Sequence, residues 1–182
     1  MTKTTKKLIA MAYPEFSGED NNLIENYRKD HDSFFKIVKA HFTLVFAIED
    51  ITAEDFIIEI KMQLGSSKSF SFCLRSAVIS KDGFEDIYHV FLVPEEGFSR
   101  FVKLHDKLYG GKLIQYRRFD LDYIPHIGIA TSPDKMVSKK MVDEWNSKEF
   151  AIKGNISTID IVEYENEIVT TIERIKLGDF AK

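Results

Sequence analysis

Apolar positions along this chain switch between two spacings, and the switches mark its elements. Leu8 to Tyr13 is apolar throughout and stops at Pro14, the pattern of a buried strand with a hard end. Ser17 and Asp20 then offer N-caps. Leu23, Ile24, Tyr27, His31, Phe34, Phe35 and Val38 follow at steps of three and four, predicting a helix of about five turns with one apolar face. His41 to Ile48 reads as a strand from its β-branched and aromatic content. Thr52 with Asp55 resembles a capping box, opening a helix that turns Phe56, Ile57, Ile60 and Leu64 inward and ends at Gly65-Ser66-Ser67.

Phe70 to Ser80 and Asp86 to Val93 predict an antiparallel hairpin through Lys81-Asp82-Gly83. A helix over Phe98 to Tyr109 carries Phe98, Phe101, Val102, His105, Leu108 and Tyr109 on one stripe, and Gly110-Gly111 suits a left-handed cap. A basic loop leads to Pro125 and a short strand, His126 to Ala130. Ser132-Pro133 supplies an N-cap and first-turn proline for a helix presenting Val137, Met141 and Trp145. Two strands, Ile156 to Tyr164 and Ile168 to Leu177, close the chain around Glu165-Asn166-Glu167.

About seven strands and four helices without strict alternation predict an α+β fold with largely antiparallel sheets. The layout is doubled, because His31-Asp32 and His105-Asp106 lie on helices that precede strands opening with His41 and His126. We therefore expect one domain over residues 1–182, built as two pseudo-symmetric lobes of antiparallel sheet with flanking helices around a central cleft. A hydrophobic fraction of 44% with 13% aromatics excludes disorder, and a net charge of −4 argues against coating long nucleic acid. Cys73 stands alone, so neither an internal disulfide nor a cysteine zinc site is expected. The opening Met1 to Lys7 and the short apolar run after it lack a signal-peptide core, and no stretch has the length of a membrane span. A cytoplasmic monomer with no membrane association is the expectation.

Alternation assigns His41, Thr43, Val45 and Ala47 to one face, and Phe42, Leu44, Phe46 and Ile48 to the other. The large apolar set belongs against the helices, which leaves an imidazole beside a hydroxyl on the open face. His126 and Gly128 repeat the arrangement, with Ile127 and Ile129 buried. Two facing imidazoles supply a neutral base and a protonated acid at one pH. Opening a cyclic phosphodiester needs that pair: one ring takes a proton from attacking water while the other protonates the departing ribose oxygen, with no metal or other cofactor required.

With these residues in place, the sequence resembles the 2′-5′ RNA ligase-like branch of the two-histidine phosphoesterase superfamily. Those proteins carry a His-x-Thr/Ser-x motif in each of two lobes. His41-Phe42-Thr43-Leu44 matches in full, and His126-Ile127-Gly128-Ile129 matches in part. The strand ending in Tyr13-Pro14, the helix before the first motif, Pro125 before the second histidine and the closing strands extend the likeness over nearly the whole chain. The resemblance implies that His41 and His126 are the catalytic acid and base and that Thr43 donates to a phosphate oxygen. It implies action on 2′,3′-cyclic or 2′-5′ phosphodiester linkages of RNA ends, oligonucleotides or small nucleotides. Gly128 departs from the pattern, leaving Thr131, Ser132 or a backbone N–H to supply that contact. The alternative is a catalytically impaired RNA- or nucleotide-binding module.

Arg117, Arg118 and Tyr123 precede the second motif in what is either a solvated loop or the cleft mouth, where arginines would grip phosphate and the ring would stack on a base. Tyr13 is a further stacking candidate. His31, His105 and His89 read as core histidines, and no sequence pattern suited to metal ligation is present.

Overall fold

The computed structural model describes residues 6–83 and 85–178. Met1 to Thr5, part of the opening read above for a leader, lie outside them. The elements run β1 (Lys7–Ala12), β2 (Glu15–Phe16), α1 (Gly18–His31), β3 (Phe42–Ile48), α2 (Ala53–Leu64), β4 (Phe70–Lys81), β5 (Tyr88–Glu96), α3 (Phe98–Leu108), a 3₁₀ helix (Gly111–Tyr116), β6 (Ile127–Ser132), α4 (Lys135–Asn146), β7 (Ile152–Ile156), β8 (Thr158–Glu165) and β9 (Ile168–Lys176). The fold is α+β. One sheet has the order β3-β1-β8-β9 and the other β2-β7-β4-β5-β6, with every pairing antiparallel.

β3 and β6, which begin immediately after His41 and His126, are both edge strands. α1 packs against β6 and α3 against β3, so each helix preceding one motif covers the strand of the other. This exchange ties the lobes through one apolar core in which Ile24, Phe42, Leu44, Phe101, Ile127 and Ile129 are fully buried. Phe42 stacks on Phe101 at 4.1 Å and meets Phe72 edge-on at 5.1 Å, fixing the strand behind the first motif.

Several elements differ from the sequence expectation. α1 ends at His31 instead of continuing to Val38, because the Asp32 carboxylate accepts the Phe34 N–H and redirects the chain. The expected strand from Ile156 to Tyr164 is two strands that break at Ser157 and join different sheets. The cap of α4 is Asp134, whose carboxylate accepts the Met136 N–H; the inward positions become Ser138, Val142 and Trp145, while Val137 is exposed. The Asp-Gly signal does mark a hairpin, but β4 and β5 part at Lys81 and Tyr88 and leave a wider loop. Gly110 has φ −70°, and Gly111 is the left-handed residue, at φ 54°. A Cβ at Gly111 would lie 2.0 Å from the buried Glu59 carboxylate, which accepts the Lys112 N–H.

Candidate active site

Both motif histidines are held in the same way. The Nδ1 of His41 lies 2.8 Å from the Lys39 carbonyl, and that of His126 lies 2.6 Å from the Ile124 carbonyl, each two residues back along the chain. A carbonyl only accepts, so Nδ1–H is the donor and Nε2 is the lone-pair nitrogen of each neutral ring. Pro125 biases Ile124, the second acceptor, towards extended backbone. On the first side the support is a buried ion network. Arg28 donates to Asp32 at 2.9 Å, to Glu25 at 3.0 Å and to the Val38 carbonyl at 2.7 Å. Glu25 also accepts the Ala40 N–H at 2.8 Å, so α1 clamps both ends of the segment leading into His41.

The two rings line one cleft of about 530 Å³, with walls from both sheets. Burial lowers the His41 pKa, opposed by its bond to the Lys39 carbonyl; among the charges nearby, Arg28 lowers it and Asp32 and Glu25 raise it. Burial also lowers His126, to about 4, with His41 and His89 adding to the effect. Part of that burial is visible as the Phe91 ring stacked on His126, with centroids 3.6 Å apart and planes 16° apart.

Thr43 is half-buried on the cleft wall, and its hydroxyl has no hydrogen-bond partner among the described residues. Gly128 lines the opposite strand. A Cβ built there meets nothing within 4 Å, so a side chain is missing where space exists. The substitutes expected for it are engaged elsewhere: the Thr131 hydroxyl accepts the Ser33 N–H and donates to the Ser33 hydroxyl, and Ser132 accepts the Asp134 N–H. The alternation on β3 also fails after Leu44. Register shifts against β1 put Val45 in the core and Phe46 in the cleft, reversing the faces expected for both.

The residues proposed at the cleft mouth are not gathered there. Arg118 makes a paired contact with Asp120, at 2.7 Å and 2.5 Å, and lies outside the cleft lining. Arg117 contacts Asp106 at 2.6 Å. Tyr123 stacks on His105 at 3.6 Å and donates to the Thr43 carbonyl at 3.1 Å, contacts that brace the motif strand, and it is not among the residues lining the cleft. Burial raises the Tyr123 pKa. His105 is a core histidine, as the sequence implied, bonded through Nδ1 to the Leu44 carbonyl. Tyr13 is 6.1 Å from the His41 ring but lines a neighbouring cavity.

His89 is the residue that sequence reasoning misplaced. It lines the cleft, its Nε2 lies 2.9 Å from an Asp82 carboxylate oxygen, and its ring stacks between Phe34 and Phe91. The signal was present: Val90 and Leu92 are the core side of β5, so His89 and Phe91 share the other. No group of three or more His, Cys, Asp or Glu among the described residues is placed to hold a metal ion.

A model of the 2′-5′ RNA ligase superfamily matches residues 14–167, and the chain belongs to that superfamily. E. coli LigT, in a crystal structure complexed with 3′-AMP, superposes with a TM-score of 0.63 at 14% identity, covering 96% of this chain and 99% of LigT. TT0787 of Thermus thermophilus gives 0.61 at 14% identity, over 96% and 100%. Kluyveromyces marxianus Usb1 gives 0.55 at 9%, over 94% and 98%. At these identities the solved structures establish a shared fold. A search of curated proteins returned no match. No helix among the described residues is long and apolar enough to cross a membrane.

Proposed function

We propose that this protein is a metal-independent phosphoesterase acting on 2′,3′-cyclic or 2′-5′ phosphodiester linkages of RNA ends or small nucleotides, with His41 and His126 as its acid and base. The observation that carries this reading is the matched Nδ1–H to carbonyl bond, which leaves an Nε2 on each of two rings lining one cleft. In hydrolysis, one neutral Nε2 takes a proton from water as the water oxygen bonds to phosphorus. The protonated ring gives its proton to the ribose oxygen as the P–O bond breaks. Thr43 donates to a non-bridging oxygen, and superfamily membership supports the same general chemistry.

Both histidine pKa values lie below the usual 6.5, so the free protein near neutrality holds two neutral rings. The form with one proton between them is most populated below pH 6.5, and kcat/KM peaks there. A bound phosphodiester anion favours the protonated ring and moves the kcat optimum upward. The test is hydrolysis of 2′,3′-cyclic nucleotides and 2′-5′-linked dinucleotides in EDTA, beside nucleotide binding by thermal shift. Turnover unaffected by chelation is the expected result. Loss in EDTA and rescue by a divalent ion contradict it, and binding without turnover supports the binding-module alternative that Gly128 raises.

A further inference from the structure

A second cavity, of about 390 Å³, adjoins the first on the His41 side and shares Ile37, Val38 and Val169 with its wall. Its lining differs in character. Tyr13, Asn21, Lys39, Thr171 and Arg174 face it, whereas the main cleft is walled largely by aliphatic and aromatic groups. Arg174 is fixed in place, because the fully buried Asp160 carboxylate accepts from its Nε at 2.9 Å and from its Nη2 at 2.7 Å. That pairing leaves the Nη1 donors uncommitted, on a guanidinium that is mostly exposed along the cavity. Asp160 balances the charge of Arg174 without taking its Nη1 donors, and the carboxylate on this wall, Glu25, is committed to Arg28 and the Ala40 N–H, so it does not take them either. The Tyr13 ring lines this cavity with its centroid 6.1 Å from that of His41, and burial raises its pKa, keeping the phenol protonated.

A pre-oriented guanidinium with free Nη1 donors, beside the Asn21 amide and the Tyr13 ring, suits a phosphate with its sugar and base. We propose that this cavity is the subsite for the adjoining nucleotide of an oligonucleotide whose reactive phosphodiester lies between the histidines, with Arg174 contacting the intervening phosphate. The preferred substrate is then an RNA end and not a free mononucleotide. The inference rests on the phosphodiester reading above and names its substrate class.

The test compares kcat/KM for a 2′,3′-cyclic mononucleotide and for a trinucleotide ending in a 2′,3′-cyclic phosphate. The same measurements are made on Arg174→Lys and on the double variant Asp160→Asn, Arg174→Met, which removes the ion pair without stranding a buried charge. The trinucleotide is favoured by about tenfold or more, the scale of one charge-assisted contact, and both variants lose that preference while keeping mononucleotide turnover. Mononucleotide turnover also reports that each variant is folded. Equal rates for the two substrates, or a variant that lowers both alike, overturn the subsite and leave the phosphodiester reading standing. If neither substrate turns over, calorimetric affinities decide: tighter trinucleotide binding that depends on Arg174 supports the subsite without the catalysis, and equal affinities overturn it.

Discussion

Phe91 lies flat on the His126 imidazole, with centroids 3.6 Å apart and planes inclined by 16°. The contact removes water from one face of the ring and disfavours its charged form, in keeping with a pKa of about 4. In Phe91→Ala, the His126 titration followed by NMR moves up towards 6.5. An unchanged titration assigns the shift to the surrounding backbone.

Three histidines, His41, His105 and His126, have pKa values lowered first by burial. The unfolded chain therefore binds more protons than the folded one between the ordinary 6.5 and the lowered values. Stability is fully present above that window and falls as pH drops through it, down to about 4 for His126. Urea unfolding at a series of pH values records this fall, and His126→Gln makes it shallower. A flat profile through the window contradicts the buried neutral state.

Tyr123 reaches from the His105 ring to the Thr43 carbonyl. Tyr123→Phe removes one hydrogen bond and costs about 0.5–1.5 kcal/mol of stability. Nucleotide affinity stays at the wild-type level. A large affinity loss with unchanged stability returns Tyr123 to the role of base platform.

Thr43 and Gly128 face the same cleft with unequal means. Thr43→Val keeps shape and strand propensity while removing a donor, and lowers turnover about 10²–10³-fold. Gly128→Thr enters open space and restores a hydroxyl, so turnover rises with no loss of stability. Steady-state kinetics beside thermal unfolding check both, and a Gly128→Thr variant that folds normally but turns over more slowly shows that the space is needed by substrate.

The parts of the site that followed from local pattern were legible in the sequence. His41 and Thr43 share a face because strand side chains alternate, and His126 repeats this behind Pro125. Legibility stopped where tertiary contacts override alternation. The shifted register on β1 turned Val45 inward and Phe46 outward, and no residue type announces that shift. Ser157 lets one apolar run serve two sheets, which strand propensity alone does not separate. Arg118 and Tyr123 lie near His126 in sequence, yet Asp120 takes one and His105 the other. His89 was within reach of the same alternation argument that found His41, but the run Tyr88-His89-Val90-Phe91 reads as core until one face is seen to open on the cleft.

Removing each imidazole in turn tests the central claim most directly. Hydrolysis of a 2′,3′-cyclic nucleotide in EDTA is measured for the wild type, His41→Ala and His126→Ala, each confirmed as folded by thermal unfolding. The paired acid–base account predicts that either replacement lowers kcat by about 10²–10⁴-fold, whereas full turnover in either folded variant contradicts it.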